Sequence, residues 1–145
     1  MLVGYAAWER YAPSGPTSPG GVTFCSYDPK GNCLADGDSG QHDGMRWRMV
    51  GYDSPEIGSA ECAQEKRLAF KARARLQELM AAGYRLHTLG AHDKHGRALV
   101  TVVLPDGRDA GQVLLDEGLS QPWPNTGNVW CDQQDAKAPQ KKISR

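Results

Sequence analysis

Long apolar runs are missing from this sequence. No stretch approaches the roughly 20 consecutive apolar residues of a membrane-spanning helix, and the N-terminus has neither the basic region nor the apolar core of a secretory signal. An excess of one charge is also missing. With 17 Lys plus Arg against 17 Asp plus Glu, the overall field steers neither nucleic acid nor membrane to the protein, and an anionic partner has to be held by local charges. None of the four cysteines is in C-x-x-C spacing, which argues against a structural zinc site. There is no internal repeat. At 145 residues the chain is the size of one domain with one core.

The four cysteines are Cys25, Cys33, Cys62 and Cys131. Cys25 and Cys33 flank a turn composition, Asp28-Pro29-Lys30-Gly31, that could bring them close enough to bridge. Cys62 and Cys131 would then pair by elimination, although four cysteines allow three connectivities and four free thiols are the alternative. Two bridges imply an oxidising compartment, secreted or periplasmic. Free thiols imply the cytoplasm. The opening segment, residues 1–21, turns from a short apolar scrap into a Pro/Gly/Ser linker, as the remnant of a longer N-terminal anchor would. Residues 132–145 read as a polar, flexible tail.

Between these ends, Val22–Tyr27 and Gly31–Asp38 read as strand, turn, strand. Met45–Asp53 alternates, with Met45, Trp47 and Met49 on one face and Arg46, Arg48 and Val50 on the other; Pro55 stops it. From Ser59 to about Ala82 the period becomes helical, with Leu68, Ala72, Leu76 and Leu79 in one stripe, the charges of Lys66, Arg67, Lys71, Arg73 and Arg75 mostly on the solvated side, Ser59 as N-cap and Gly83 as stop. Two further strands, the second through Arg97–Leu104, and a short helix through Ala110–Glu117 ended by Gly118 complete the order. This order predicts an α+β, mainly β fold: an antiparallel barrel with a long helix between strands and a short helix near the C-terminus.

Three polar islands border the predicted strands: Asp36-Gly37-Asp38-Ser39, Arg48 to Glu56, and Asp93-Lys94-His95-Gly96-Arg97. If they converge at one rim, Asp38 and Asp53 supply two anionic oxygens and the Ser54 carbonyl a third, a hard-oxygen set for calcium or magnesium. Glu56, past the proline bend, stands where a general base would hold a water. Arg48 and Arg97 offer bidentate donors to a phosphate gaining charge in a five-coordinate state. Singly, each island has a plain reading as turn, cap or ion pair. Together they hold every residue type that phosphodiester cleavage needs.

In order and spacing, these islands, followed by Ala98 to Trp123, resemble the staphylococcal nuclease (thermonuclease) family over about Cys33 to Trp123. The resemblance implies an OB-like five-stranded barrel spanning residues 22–131. It also implies a Ca2+-dependent, monomeric nuclease that cuts DNA and RNA, single strands favoured, leaving 3′-phosphates. Asp38, Asp53 and Ser54 match the calcium ligands, Arg48 and Arg97 the phosphate-binding arginines, and Glu56 the proposed base. Lys94 and His95 fall near the substrate's terminal phosphate, and Asp36 and Ser39 lie behind the ion. The chain departs from the family at His95, where tyrosine is common, at Ser39 and Ser54, where threonines are usual, and beyond the stretch Gly118 to Trp123. A third helix is missing there, Trp123 and Pro124 occupy the region of the base-stacking tyrosines, and a Cys62–Cys131 link would replace the helix as a clamp. The rival readings are a relative that binds nucleic acid or protein without cutting, and a scaffold whose acids bind calcium for stability.

Overall fold

The computed structural model describes residues 21–131; the expected linker before Val22, Gly21 apart, and the polar tail after Cys131 lie outside them. Among the described residues eight strands and two helices follow one another as β1 (Thr23–Phe24), β2 (Cys33–Asp36), β3 (Ser39–His42), β4 (Met45–Met49), β5 (Tyr52–Asp53), α1 (Ala63–Met80), β6 (Arg85–His92), β7 (Ala98–Val103), α2 (Ala110–Asp116) and β8 (Gln121–Pro122). Six strands form one sheet in the order β1-β2-β3-β4-β7-β6, and β5 pairs with β8 in a small second sheet. The fold is therefore α+β, as the sequence pattern predicts.

The pairing corrects the expectation of an all-antiparallel arrangement. β4 and β7 run parallel, with Arg48 opposite Leu99. The intervening β5, α1 and β6 supply the long crossover that a parallel pair requires. β1 and β2 are also parallel, because successive turns through residues 25–31 (Tyr27 and Asp28 N–H to Phe24 O, Gly31 N–H to Asp28 O) return the chain to the start of β1. No ladder among the described residues joins β1 to β6, so the hydrogen-bonded sheet is open.

The alternation read in β4 holds: Trp47 and Met49 are buried, Arg46 exposed and Arg48 intermediate. Trp47 and Met49 join Leu34, Leu76, Met80, Leu86, Val100, Val102 and Leu114 in a single core between the sheet and the helices. The long helix starts three residues later than expected, with Cys62 rather than Ser59 as its N-cap; the Cys62 sulfur accepts from the Glu65 N–H. Its buried face is also rotated. Ala69, Ala72, Arg73, Leu76 and Met80 are buried, whereas Leu68 and Leu79 are only partly covered. Arg73, which the periodicity assigned to the outer face, lies with its guanidinium 4.1 Å from the Phe24 ring centre. The aromatic face compensates the desolvated cation. α2 begins at an Asp109 N-cap and the chain leaves it through Gly118 at φ +77°, the left-handed exit the sequence signalled.

Both disulfides pair as expected, Cys25 with Cys33 and Cys62 with Cys131. They are compatible with an extracytoplasmic location. Among the described residues no helix is long and apolar enough to cross a membrane.

Candidate metal and phosphate site

The site gathers where β2 turns into β3, where β4 ends, and where β6 turns into β7. Gly37 makes the first of these turns possible: a Cβ there would stand 2.8 Å from the Ala72 Cβ and 3.2 Å from the Ser54 Cβ, so only glycine lets the turn pass between α1 and the loop after β5. That tight passage buries Asp38, which is 1 % exposed. One of its oxygens accepts the Ser54 N–H at 3.0 Å and lies 3.5 Å from the Arg48 guanidinium.

Arg48 is the hub. One terminal nitrogen faces Asp38 while the other stands 3.8 Å from Asp53 and donates to the Tyr52 carbonyl at 3.3 Å. Its guanidinium also lies 5.5 Å from the Trp123 ring centre. Glu56 completes the group: oxygens of Asp38, Asp53 and Glu56 all come within 4.8 Å of one another. Asp36 lines the same cleft and accepts the Ile57 N–H at 3.1 Å.

Such crowding has an electrostatic signature. Burial pushes the Asp38 carboxyl up to about 6 against the opposing pull of Arg48 and the Ser54 N–H. Burial, then the charges of Asp36, Asp38 and Asp53, push Glu56 up to about 7. Burial likewise raises Asp36. The cluster thus crowds more carboxylates than Arg48 offsets, and its oxygens lie close enough together that they could hold a hard divalent cation.

A pH prediction follows from these directions. The folded protein holds protons on Asp38 and Glu56 that the unfolded chain, at ordinary carboxyl values, has already released. Their contribution is complete below about pH 4 and disappears as the pH climbs through 6 and 7. In chelator, the melting temperature should therefore fall between about pH 4 and pH 7, and millimolar Ca2+ at pH 7 should restore it. Thermal unfolding across that range, with and without the cation, checks this; an apo melting temperature flat in pH would contradict it.

The second arginine is differently placed. Arg97 lines the same cleft as Asp38, Arg48 and Glu56, but its Nε donates to Asp93 at 2.7 Å. Burial alone would raise Asp93. Hydrogen bonds from the Arg97 N–H and guanidinium and from the His95 N–H instead hold it down at about 2. Asp93 thus works as the holder of the β6–β7 tip, a role its i,i+4 spacing to Arg97 could have signalled. Lys94 and His95 line an adjoining cleft of about 720 Å³ with Trp123, Val50 and Leu99. Ser54 and Ser39 are both buried; the Ser54 hydroxyl donates to the Pro55 carbonyl, and Ser39 pairs with Arg48 across the β3–β4 ladder.

Four supporting residues carried no signal in the sequence. Gln121 and Asn125 each donate to Asp53 Oδ2 at 3.0 Å from about 70 residues away along the chain. Glu65, buried at 2 % exposure, accepts the N–H groups of Glu56 and Glu61, and Asn128 donates to it at 2.8 Å. The segment from Gln121 to Cys131 therefore braces Asp53 and, through Glu65, the backbone of Glu56. Its far end is tied to α1 by the Cys62–Cys131 bridge.

Neither the protein-family models nor the curated proteins compared with this chain match it. The chemistry rests on the cleft itself, which is about 540 Å³ in volume and presents carboxylates beside three arginines, Arg46, Arg48 and Arg97. Such a cleft can hold a divalent cation and an oxyanion at once.

Proposed function

We propose that the protein is a Ca2+-dependent nuclease that hydrolyses phosphodiester bonds of single-stranded DNA and RNA, in the manner of the thermonuclease family and its OB-like barrel. The observation that carries the proposal is the approach of Asp38, Asp53 and Glu56, drawn from both sides of the Pro55 bend and from the β2–β3 turn, to within 4.8 Å of one another around Arg48, beside a cleft that Asp38, Arg48, Glu56 and Arg97 line.

Asp38 and Asp53, with the Ser54 carbonyl, would hold the ion. Bound there, Ca2+ supplies Lewis-acid compensation for charge on a phosphate oxygen. The chain's own groups do the rest. Glu56, with a carboxyl near neutrality, takes a proton from a water as that water attacks phosphorus; the bond to the 5′ oxygen breaks, the departing oxygen takes up a proton and a 3′-phosphate remains. Arg48 and Arg97 match the equatorial oxygens as charge develops on them. Lys94 and His95 stand where the substrate's terminal phosphate would lie, with Asp36 and Ser39 behind the ion. The two disulfides favour an extracytoplasmic site of action, and the protein acts as a monomer.

The test is cleavage of single-stranded DNA with Ca2+ and then with chelator. Glu56→Gln should lower the rate about 10²- to 10⁴-fold, the usual worth of a positioned general base. Equal cutting by wild type and variant, or cutting that ignores chelator, would end the proposal.

One observation favours a second reading, a module that binds nucleic acid without cutting it. Arg48 is occupied by Asp38 and Asp53, and Arg97 by Asp93. On that reading a labelled strand is retained but never shortened in Ca2+.

A further inference from the structure

Three depressions run together across this face. The carboxylate cleft shares Arg48, Glu56, His95 and Arg97 with the cleft that holds Trp123. On its other side it shares Asp36, Arg46 and Arg97 with a groove of about 310 Å³, which continues over Gln41 to Pro29 and the Cys25–Cys33 loop. The carboxylate cleft thus opens onto two further depressions, and Arg97 lines all three.

Arg46 marks the join with the groove. It is exposed, stands two residues before Arg48 on β4, and lines both the carboxylate cleft and the groove. Side chains at i and i+2 of a strand leave the same face about 7 Å apart, a distance comparable to that between consecutive phosphates of one nucleic-acid strand. Arg46 also bonds to the His95 carbonyl through one terminal nitrogen. That contact pins the guanidinium at the rim and uses only part of its five-donor fork. The groove is firmly built: Gln41 donates to the carbonyls of Pro29 and Gly31, tying β3 to the disulfide-closed loop. Among the described residues Asp36 is the one carboxylate lining it, where it is shared with the carboxylate cleft.

We infer that Arg46 and this groove form a second phosphate subsite, which takes the phosphate next along a single strand from the one between Arg48 and the ion. The inference deepens the nuclease reading, since it gives the substrate a length: a dinucleotide fills the central cleft, and a longer strand also reaches Arg46. A stretch of basic groove that follows a backbone is how single strands are held regardless of base.

The experiment measures binding in chelator, where no strand is cut, using a dinucleotide and a 12-nucleotide DNA. Wild type, Arg46→Ala and Arg46→Lys are compared over a range of salt, with melting temperatures recorded for each. Arg46→Ala should lower the preference for the 12-mer over the dinucleotide roughly tenfold, the scale of one charge-assisted hydrogen-bond pair. It should also make the salt dependence for the 12-mer shallower by about 0.7 in log–log slope, the share of one phosphate on a single strand. Arg46→Lys, which keeps the charge, should retain most of that slope. If Arg46→Ala weakens both ligands equally, or neither, with the fold intact, the subsite is refuted. A protein that cuts nothing in Ca2+ but still shows the Arg46-dependent length preference would lose the nuclease reading and keep the subsite; a protein that cuts without that preference would do the reverse.

Discussion

Arg48→Ala should slow cleavage strongly and, separately, destabilise the fold in a way that a divalent cation repairs. Arg48 is the cation nearest to Asp38 among the described ion pairs, and the Asp38 side chain is almost wholly out of water. Removing one partner of a buried pair leaves an uncompensated charge, which costs about 3 kcal/mol. The cost depends on pH. Asp38 already escapes its charge by protonation near pH 6, so the loss should be small at about pH 5 and full at about pH 8. Ca2+ bound between Asp38 and Asp53 would replace the missing positive charge and recover the stability. It would not replace a guanidinium on the phosphate, and the turnover rate should remain down by at least about 10²- to 10³-fold, the worth of one such donor. Chemical denaturation at two pH values with and without Ca2+, beside a cleavage assay, reads all of this. A variant whose stability ignores both pH and Ca2+ would show that the carboxylate cluster is not a cation site.

Breaking the Cys62–Cys131 bridge should cost the fold about 4 kcal/mol, against about 2 to 3 kcal/mol for Cys25–Cys33, because the first spans 69 residues of sequence and the second only 8. Paired serine substitutions keep the comparison clean. Serine at position 62 remains a competent N-cap for α1, since its hydroxyl can take over the bond that the Glu65 N–H makes to sulfur. The long bridge also anchors the segment that braces the site. Asn128 accepts the N–H groups of Trp130 and Cys131 with its oxygen and donates to Glu65 with its nitrogen, while Asn125 holds Asp53. Freed at Cys131, this segment should hold Asp53 less firmly, and Ca2+ affinity measured by calorimetry should weaken. A double-serine variant no less stable than its Cys25/Cys33 counterpart, with unchanged Ca2+ affinity, would leave the bridge no role in the site.

Much of this arrangement was legible in one dimension because the relevant forces are local. The alternation in β4 set Trp47 and Met49 inward and left Arg46 and Arg48 on the opposite side. Pro55 ended the extended run, and Gly118 ended α2. What the local pattern misplaced was the inner face of α1. Periodicity counted Arg73 among the solvated charges, but the Phe24 ring and the nearby Asp36 made its burial tolerable. Neither partner lies within one helical turn of it. The expected hairpin of β1 and β2 failed for a related reason. The turns through residues 25–31 were recognisable as turns, but their composition does not say that they add up to a parallel return.

Sequence by itself determined which chemical groups were available and where the chain had to bend: the acids at 36, 38, 53 and 56, the arginines at 46, 48 and 97, and the glycine and proline stops between them. Only the tertiary structure decided which of those groups share a desolvated space. Long-range packing set Gly37 against α1 and sank Asp38 beside Arg48, and it brought Gln121 and Asn125 onto Asp53. Coulomb and desolvation energies depend on distance through space rather than along the chain. For that reason four unremarkable carboxylates could be read from the sequence, but the raised affinity of Asp38 and Glu56 for a proton arises only in the folded protein.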